Sequence, residues 1–297
     1  MRLGVGFPHL DIGTDTALAR DFAQAAESAG FDYLSAIEHV AGADAERFAG
    51  VDTGFPAPPY LYDHPFHEPF TLFAYLAGLT SRIELVTSVL VLPQRQTVLV
   101  AKQAAEVSLL SGGRLRLGVG VGWNHAEYEA LGADFHTRGR REAEQIVVLR
   151  KLWTEPLVTF AGEWHTLNRV GIAPLPEHSI PIWMGGGLGE ATLRRVARLA
   201  DGWMPNLRPD GLAAEVIARM QRYLQEEGRE SSSLGIQVGI GGSNERPEWV
   251  AAATRWEQLG ATHLELTGGG RGSGLTAMQQ LERATKVKHV LELELGY

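Results

Sequence analysis

The chain has 297 residues, 44% of them hydrophobic, a formal charge of −8 and no cysteine. The missing cysteines exclude disulfide frameworks, thiolate metal sites and cysteine nucleophiles, and the acidic balance argues against the basic face that a nucleic-acid partner needs. No apolar run approaches the roughly 18 residues of a membrane span, and the opening MRLGVGFPHL reads as a strand rather than a signal peptide, so a cytoplasmic protein with no membrane partner is expected.

Short apolar runs with strand character occur at residues 3–7, 32–36, 83–89, 115–119, 180–184, 202–205, 234–238 and 262–267. Helical patterns lie between most of them. The first follows GTDT, where residues 14–16 supply capping side chains; Leu18, Phe22, Ala25, Ala26 and Ala29 then recur at helical spacing, and Gly30 stands where a C-terminal cap belongs. Residues 70–79, 98–110, 140–152, 191–199, 212–225, 247–259 and 275–293 follow the same logic. Strands separated by helices imply a parallel sheet with right-handed crossovers. Eight such units predict an α/β fold closed into a (β/α)8 TIM barrel rather than a doubly wound sheet. With no linker, low-complexity segment or fixed-period repeat, residues 1–297 read as one barrel domain.

Two insertions break the rhythm. Residues 41–69 follow the second strand and are rich in proline and aromatics, including Phe48, Phe55, Tyr60, Tyr62 and Phe66. A loop of that length in a compact domain is usually functional or disordered, and its aromatic content favours an ordered apolar lid over the C-terminal mouth. The second insertion, residues 157–176, contains the hairpin-like VTFAGEWHTL.

Barrel enzymes act at the C-terminal ends of their strands. The second strand ends in SAIEHV, which places Glu38 and His39 at the rim, and alternation lets only one of them face the mouth. A histidine there can exchange a proton near neutral pH; a surface His–Glu pair is the plainer alternative. The third strand ends in TSVLVLP, with Thr87, Ser88 and Val89 able to approach a flat ligand or simply to continue a buried strand. In GRLRLGVGVGWNH the glycines Gly118, Gly120 and Gly122 do not fit GxGxxG, because the motif's spacing and its immediate helix are missing. What remains is a strand end without side chains at alternate positions, leaving room for a planar ring beside Val121, Trp123 and Asn124.

The fifth strand runs into Gly185, Gly186, Gly187 and Gly189 and then a helix carrying Arg194 and Arg195. Free backbone N–H groups at a helix start make a phosphate cradle, although a tight strand-to-helix turn would look the same. The eighth strand ends in TGGGRGSG, a competing cradle with Arg271. His64 and His67 lie three apart in a proline-rich loop without HExxH or a carboxylate cluster, so no metal site is expected. No GxSxG elbow occurs, and His165, His263 and His289 read as structural or solvated.

These segments together resemble the bacterial luciferase-like family of flavin and deazaflavin oxidoreductases. The resemblance is carried in order by AESAGFDYLSAIEH, TSRIELVTSVLVLP, LLSGGRLRLGVGVGW, RREAEQIVVLRKLWTE and PIWMGGGLGEATLRRVARLADGW. It implies a TIM barrel that holds the deazaflavin coenzyme F420 or FMN. It also implies an acidic residue and histidine, here Glu38 and His39, beside the ring's reactive carbon, with Glu38 standing where several members carry aspartate. A non-prolyl cis peptide at Ser88–Val89 would bulge against the ring. Gly120, Val121, Gly122, Trp123 and Asn124 would meet the ring edge or ribityl chain, and Gly185, Gly186 and Gly187 would hold the phosphate. Where many relatives carry aspartate before LSGGR, Val107 and Ser108 stand here.

The resemblance is nearest the deazaflavin-dependent members, in which reduced F420 delivers hydride to a small organic acceptor and His39 supplies the proton, or takes one in the reverse alcohol oxidation. The acidic glutamyl tail of F420 would suit RGRR at 138–141 or Arg194 and Arg195. The alternatives are a monooxygenase using reduced FMN and, in another class, a flavin-binding protein without turnover. Family likeness also suggests a homodimer.

Overall fold

A computed structural model of the chain describes residues 1–240, 246–269 and 273–297. Residues 270–272, Arg271 among them, lie outside that set, so the Arg271 part of the TGGGRGSG reading has no structural counterpart here. The strands, in chain order, are β1 (Arg2–Gly6), β2 (Tyr33–Ala36), β3 (Glu84–Thr87), β4 (Leu90–Val91), β5 (Leu115–Gly120), β6 (Val158–Ala161), β7 (Thr166–Val170), β8 (Ile182–Gly186), β9 (Gly202–Pro205), β10 (Gly235–Ile240) and β11 (His263–Leu266). The α-helices are α1 (His9–Ile12), α2 (Thr16–Ser28), α3 (Pro69–Ala77), α4 (Thr97–Leu110), α5 (His125–Ala130), α6 (Arg138–Thr154), α7 (Glu190–Leu199), α8 (Gly211–Glu226), α9 (Arg246–Gln258) and α10 (Ala277–Leu295).

Strands β3, β2, β1, β11, β10, β9, β8 and β5 pair side by side in parallel, and β3 pairs with β5 to close the ring, Leu85 opposite Leu115. The eight-stranded barrel is therefore the expected one. Its strand limits follow local chemistry. The third expected strand, 83–89, stops at Thr87, is followed by a cis Ser88–Val89 peptide, and resumes as β4 along β5. The fifth begins later than expected because Pro181 has no N–H to donate, and it runs on into the glycines. The hairpin of the second insertion forms as β6–β7.

Alternation along the strands sorts two cores. Leu3, Val5, Leu34, Ala36, Leu85, Leu117 and Leu264 face outward and pack on the helices. Those helices close locally as expected: Asp15 accepts from the Leu18 N–H at the start of α2, and Gly30 follows its end at φ +76°. The inward positions hold Tyr33, Val86, Trp183 and Met204, with Val89 against them.

These rings need glycine opposite them. A Cβ on Gly4 would lie 2.2 Å from the Tyr33 ring, and one on Gly202 would lie 2.1 Å from Trp183. The alternate glycines of β5 have the same origin. A Cβ on Gly118 would sit 1.9 Å from the Thr87 carbonyl oxygen, one on Gly120 2.5 Å from Val89, and one on Gly122 2.7 Å from Val91. The room inferred from the sequence at Gly118, Gly120 and Gly122 is thus taken by the end of the third strand itself.

Backbone cannot rotate aside as a side chain can, so Gly118→Ala is expected to destabilise the fold by about 2–3 kcal/mol in urea unfolding. Gly187→Ala, whose Cβ would meet no atom within 4 Å, should stay within about 0.5 kcal/mol. Equal unfolding midpoints for the two variants would refute this account of β5.

Candidate functional site

At the C-terminal mouth, His39 follows β2 with its side chain 15% exposed. Its ring stacks on Tyr60 at 3.6 Å between centroids and meets Phe66 edge-on at 5.1 Å. Nδ1 lies 3.4 Å from Glu127 Oε2. Glu127 also accepts the backbone N–H groups of Val40 and Ala41 and the Tyr60 hydroxyl, so one carboxylate fixes both the histidine and the chain that carries it. Burial would raise the Glu127 carboxyl, but the His39 contact and these backbone bonds outweigh it and hold the group below its ordinary value. An ionised Glu127 takes the Nδ1 proton as its hydrogen bond and leaves Nε2 as the nitrogen that can exchange a proton.

Glu127 escaped the sequence reading because it lies 88 residues from His39, on a helix of only six residues. The available signal was Asn124 three positions before it: Asn124 caps α5, accepting from the Ala126 and Glu127 N–H groups. Its Nδ2 donates to the Tyr60 hydroxyl at 2.6 Å. The side chain of Asn124 is thereby engaged inside the protein, and at the rim it serves as scaffold.

Glu38 turns the other way. Its side chain is 1% exposed and accepts from the Val91 N–H at 2.6 Å, from Arg95 Nε at 2.6 Å and from an Arg95 terminal nitrogen. Arg95 reaches Glu68, the cap of α3, at 3.0 Å as well. Burial pushes the Glu38 carboxyl up to about 7, with Arg95 opposing the rise. Of the Glu38–His39 pair only His39 lies at the mouth; Glu38 ties β2 to the turn after β4.

The other residues singled out in the sequence gather at two places. Thr87 is buried and donates to the Gly118 carbonyl at 2.7 Å. Ser88 and Val89 carry the cis bond, and Val89 stands between Gly120 and Gly185, whose missing side chains admit it at 2.5 and 2.8 Å. Val121 accepts from the Tyr128 hydroxyl at 2.7 Å, and Gly122 turns at φ +63°. Trp123 is the hub of the lid, with Phe48, Phe55 and Tyr60 at 5.4, 5.6 and 5.3 Å. Phe48 and Tyr60 are buried; Tyr62, also expected in the lid, is 68% exposed and takes no part in that packing.

Gly185 and Gly186 end the strand, Gly186 exposed, and Gly187 is exposed just beyond it. Gly189 caps α7 without any side-chain hydrogen bond, and nothing lies within 4 Å of a Cβ built on Gly187 or Gly189. This open, glycine-lined helix start fits a phosphate. Three of the arginines offered for an acidic tail form ion pairs within the chain, Arg140 with Glu163, Arg194 with Glu190 and Glu226, and Arg195 with the buried Glu142, while Arg138 lies over the Phe135 ring. His165 bridges Glu144 and Thr97, and His263 packs on Trp183, both structural places.

A parallel barrel with a histidine, a cis peptide and a glycine-rich strand-to-helix turn at its strand ends can be set beside known proteins. Residues 5–284 match the model of the luciferase-like monooxygenase family, and the chain belongs to that family. An uncharacterized protein of Mycobacterium tuberculosis is 35% identical over 230 residues, covering 76% of this chain and 77% of the relative. The pyrimidine monooxygenase RutA of Escherichia coli is 31% identical over 219 residues, covering 70% of this chain and 63% of RutA. Among solved structures, an F420-dependent secondary alcohol dehydrogenase in complex with an F420–acetone adduct shares the fold with a TM-score of 0.79 at 16% identity, each chain covered to 98%. Among the described residues no helix is long and apolar enough to cross a membrane.

Proposed function

We propose that the chain is an F420-dependent oxidoreductase that moves a hydride between the cofactor and a small organic substrate, with His39 giving or taking the accompanying proton. The observation that carries this reading is the setting of His39 at the mouth: a ring clamped by Tyr60 and Glu127 with Nε2 left for exchange. Gly186, Gly187 and the start of α7 would hold the phosphate, and Val89 would support the ring. When bound, the deazaflavin supplies a carbon that gives or accepts hydride. The residues of the chain do the rest: Glu127 fixes the tautomer, His39 transfers the proton at Nε2, and the Trp123-centred lid excludes water. Arg208, exposed just past β9, forms no ion pair among the described residues and is a cation available to an acidic tail.

A second reading, a monooxygenase using reduced FMN, is favoured by the likeness to RutA, since both cofactors share a ribityl phosphate. Titrating the purified protein with F420 and with FMN, followed by fluorescence, separates the two. Saturable F420 binding is expected; tight FMN binding with no response to F420 would overturn the first reading.

A further inference from the structure

Next to the His39 site, a cavity of about 300 Å³ opens above β1 between the ends of β2 and β11, at the lower end of the size range of small-molecule sites. Phe66 is the shared wall, 5.1 Å from the His39 ring on one side and 5.5 Å from the His9 ring on the other. Its polar lining is unusual in being directional. Inside the barrel Arg116 donates to Glu84 and, at 3.0 Å, to Gln237 Oε1. That contact orients the amide so that Gln237 Nε2 donates to Glu265 Oε2 at 3.1 Å, where Ser35 Oγ donates as well at 2.6 Å. Two donors therefore saturate Oε2, and Oε1, with no hydrogen bond among the described residues, is the oxygen left toward the cavity.

Burial raises the Glu265 carboxyl, against the Ser35 bond and Arg116. A proton on this group has one place to reside, Oε1, because Oε2 already accepts twice. The remaining polar lining gives an anion no cationic partner, the unpartnered His9 Nε2 being a neutral donor. His9 Nδ1 accepts the His67 N–H, and burial, followed by the charges of His67 and His39, pushes His9 down to about 3, so the ring is neutral. Asp11, which accepts from Gln280 at 2.8 Å, adds a carboxylate, and neither lysine nor arginine lines the space.

We infer that this cavity is the substrate compartment and that Glu265, through Oε1, is a specificity-determining donor to the carbonyl-type oxygen of an uncharged, largely apolar substrate. The inference rests on the oxidoreductase reading above for what is done to that substrate, but the binding site itself can be tested without turnover. The probes are cyclohexanone, methylcyclohexane and cyclohexanecarboxylate, their affinities measured by ligand-observed NMR on the full chain.

Cyclohexanone is expected to bind the wild type at least about tenfold more tightly than the other two, the worth of one buried hydrogen bond. Glu265→Leu should lose about tenfold for cyclohexanone. Glu265→Gln should keep the affinity within a few-fold, because its amide N–H replaces the O–H while its oxygen still accepts from Ser35 and Gln237. Gly6→Val, whose Cβ would stand 3.6 Å from Glu265 Oε1 in ordinary contact, should block all three probes and carries the test if the leucine variant fails to fold. Undiminished cyclohexanone binding in Glu265→Leu or Gly6→Val, equal losses in the leucine and glutamine variants, or preference for the carboxylate would overturn the inference. The F420 and FMN titrations read out separately: a chain that obeys these probe rules yet binds neither cofactor keeps the cavity and loses the oxidoreductase reading.

Discussion

On the proposed F420-dependent reading, His39→Ala is expected to lower turnover of the reduced cofactor by about 10²- to 10⁴-fold, the contribution of a positioned proton donor, while the affinity for the cofactor changes only a few-fold. The split follows from the geometry. The ring is held at Nδ1 by Glu127 and on its face by Tyr60, and it is no part of the glycine turn before α7, so its removal takes away the proton and leaves that turn untouched. Truncation also leaves Glu127 without its ring partner, so a second variant is needed. His39→Gln retains an N–H toward Glu127 but cannot shuttle a proton, and it should be equally slow. Full activity in either variant would remove His39 from proton transfer, and parallel loss of cofactor binding would make it a binding group.

Arg95→Met should cost about 3–5 kcal/mol in unfolding free energy at pH 8, because it strands the Glu38 carboxylate in a site that is 1% exposed. Replacing both partners, Arg95→Met with Glu38→Leu, should recover most of that loss, since an apolar pair needs no counterion. The sign of the pH dependence follows from the raised Glu38 carboxyl. Its folded value, about 7, stands above the ordinary 4.5, so between those values the folded chain binds the extra proton. The stabilisation from this proton is fully present below about pH 4.5 and is lost as pH rises through 7. Without Arg95 the folded value rises further, so Arg95→Met should go on losing stability above pH 7, where the wild type levels off for this group, and the double variant should not. A flat profile for Arg95→Met would show that Glu38 is not the group left uncompensated.

The glycines of GVGVGW illustrate how a sequence can signal a close approach without naming what approaches. Their spacing did announce a close approach at the end of β5, but the approaching groups are the Thr87 carbonyl, Val89 and Val91, and no periodicity names a partner some thirty residues upstream. The basic clusters show the same limit. RGRR and Arg194–Arg195 read as cations available to a ligand, yet the β6–β7 hairpin brings Glu163 to Arg140 and the packing of α6 on α7 brings Glu142 to Arg195.

By itself the sequence determined the barrel, because strands buried on both faces must be apolar runs and helices with one buried face must be periodic. It also determined the mouth, since strand ends are read directly off those runs: His39, the Ser88–Val89 bulge and the glycines before α7 all lie where their strands finish. Only the closed ring decided which of two neighbouring rim residues faces outward, sending Glu38 inward to Arg95 and leaving His39 for exchange. Closure likewise brought Glu127 to His39 across 88 positions and Ser35 to Glu265 across 230. Interior contacts of a barrel join residues from different strands, and their separation along the chain carries no local pattern for a sequence to display.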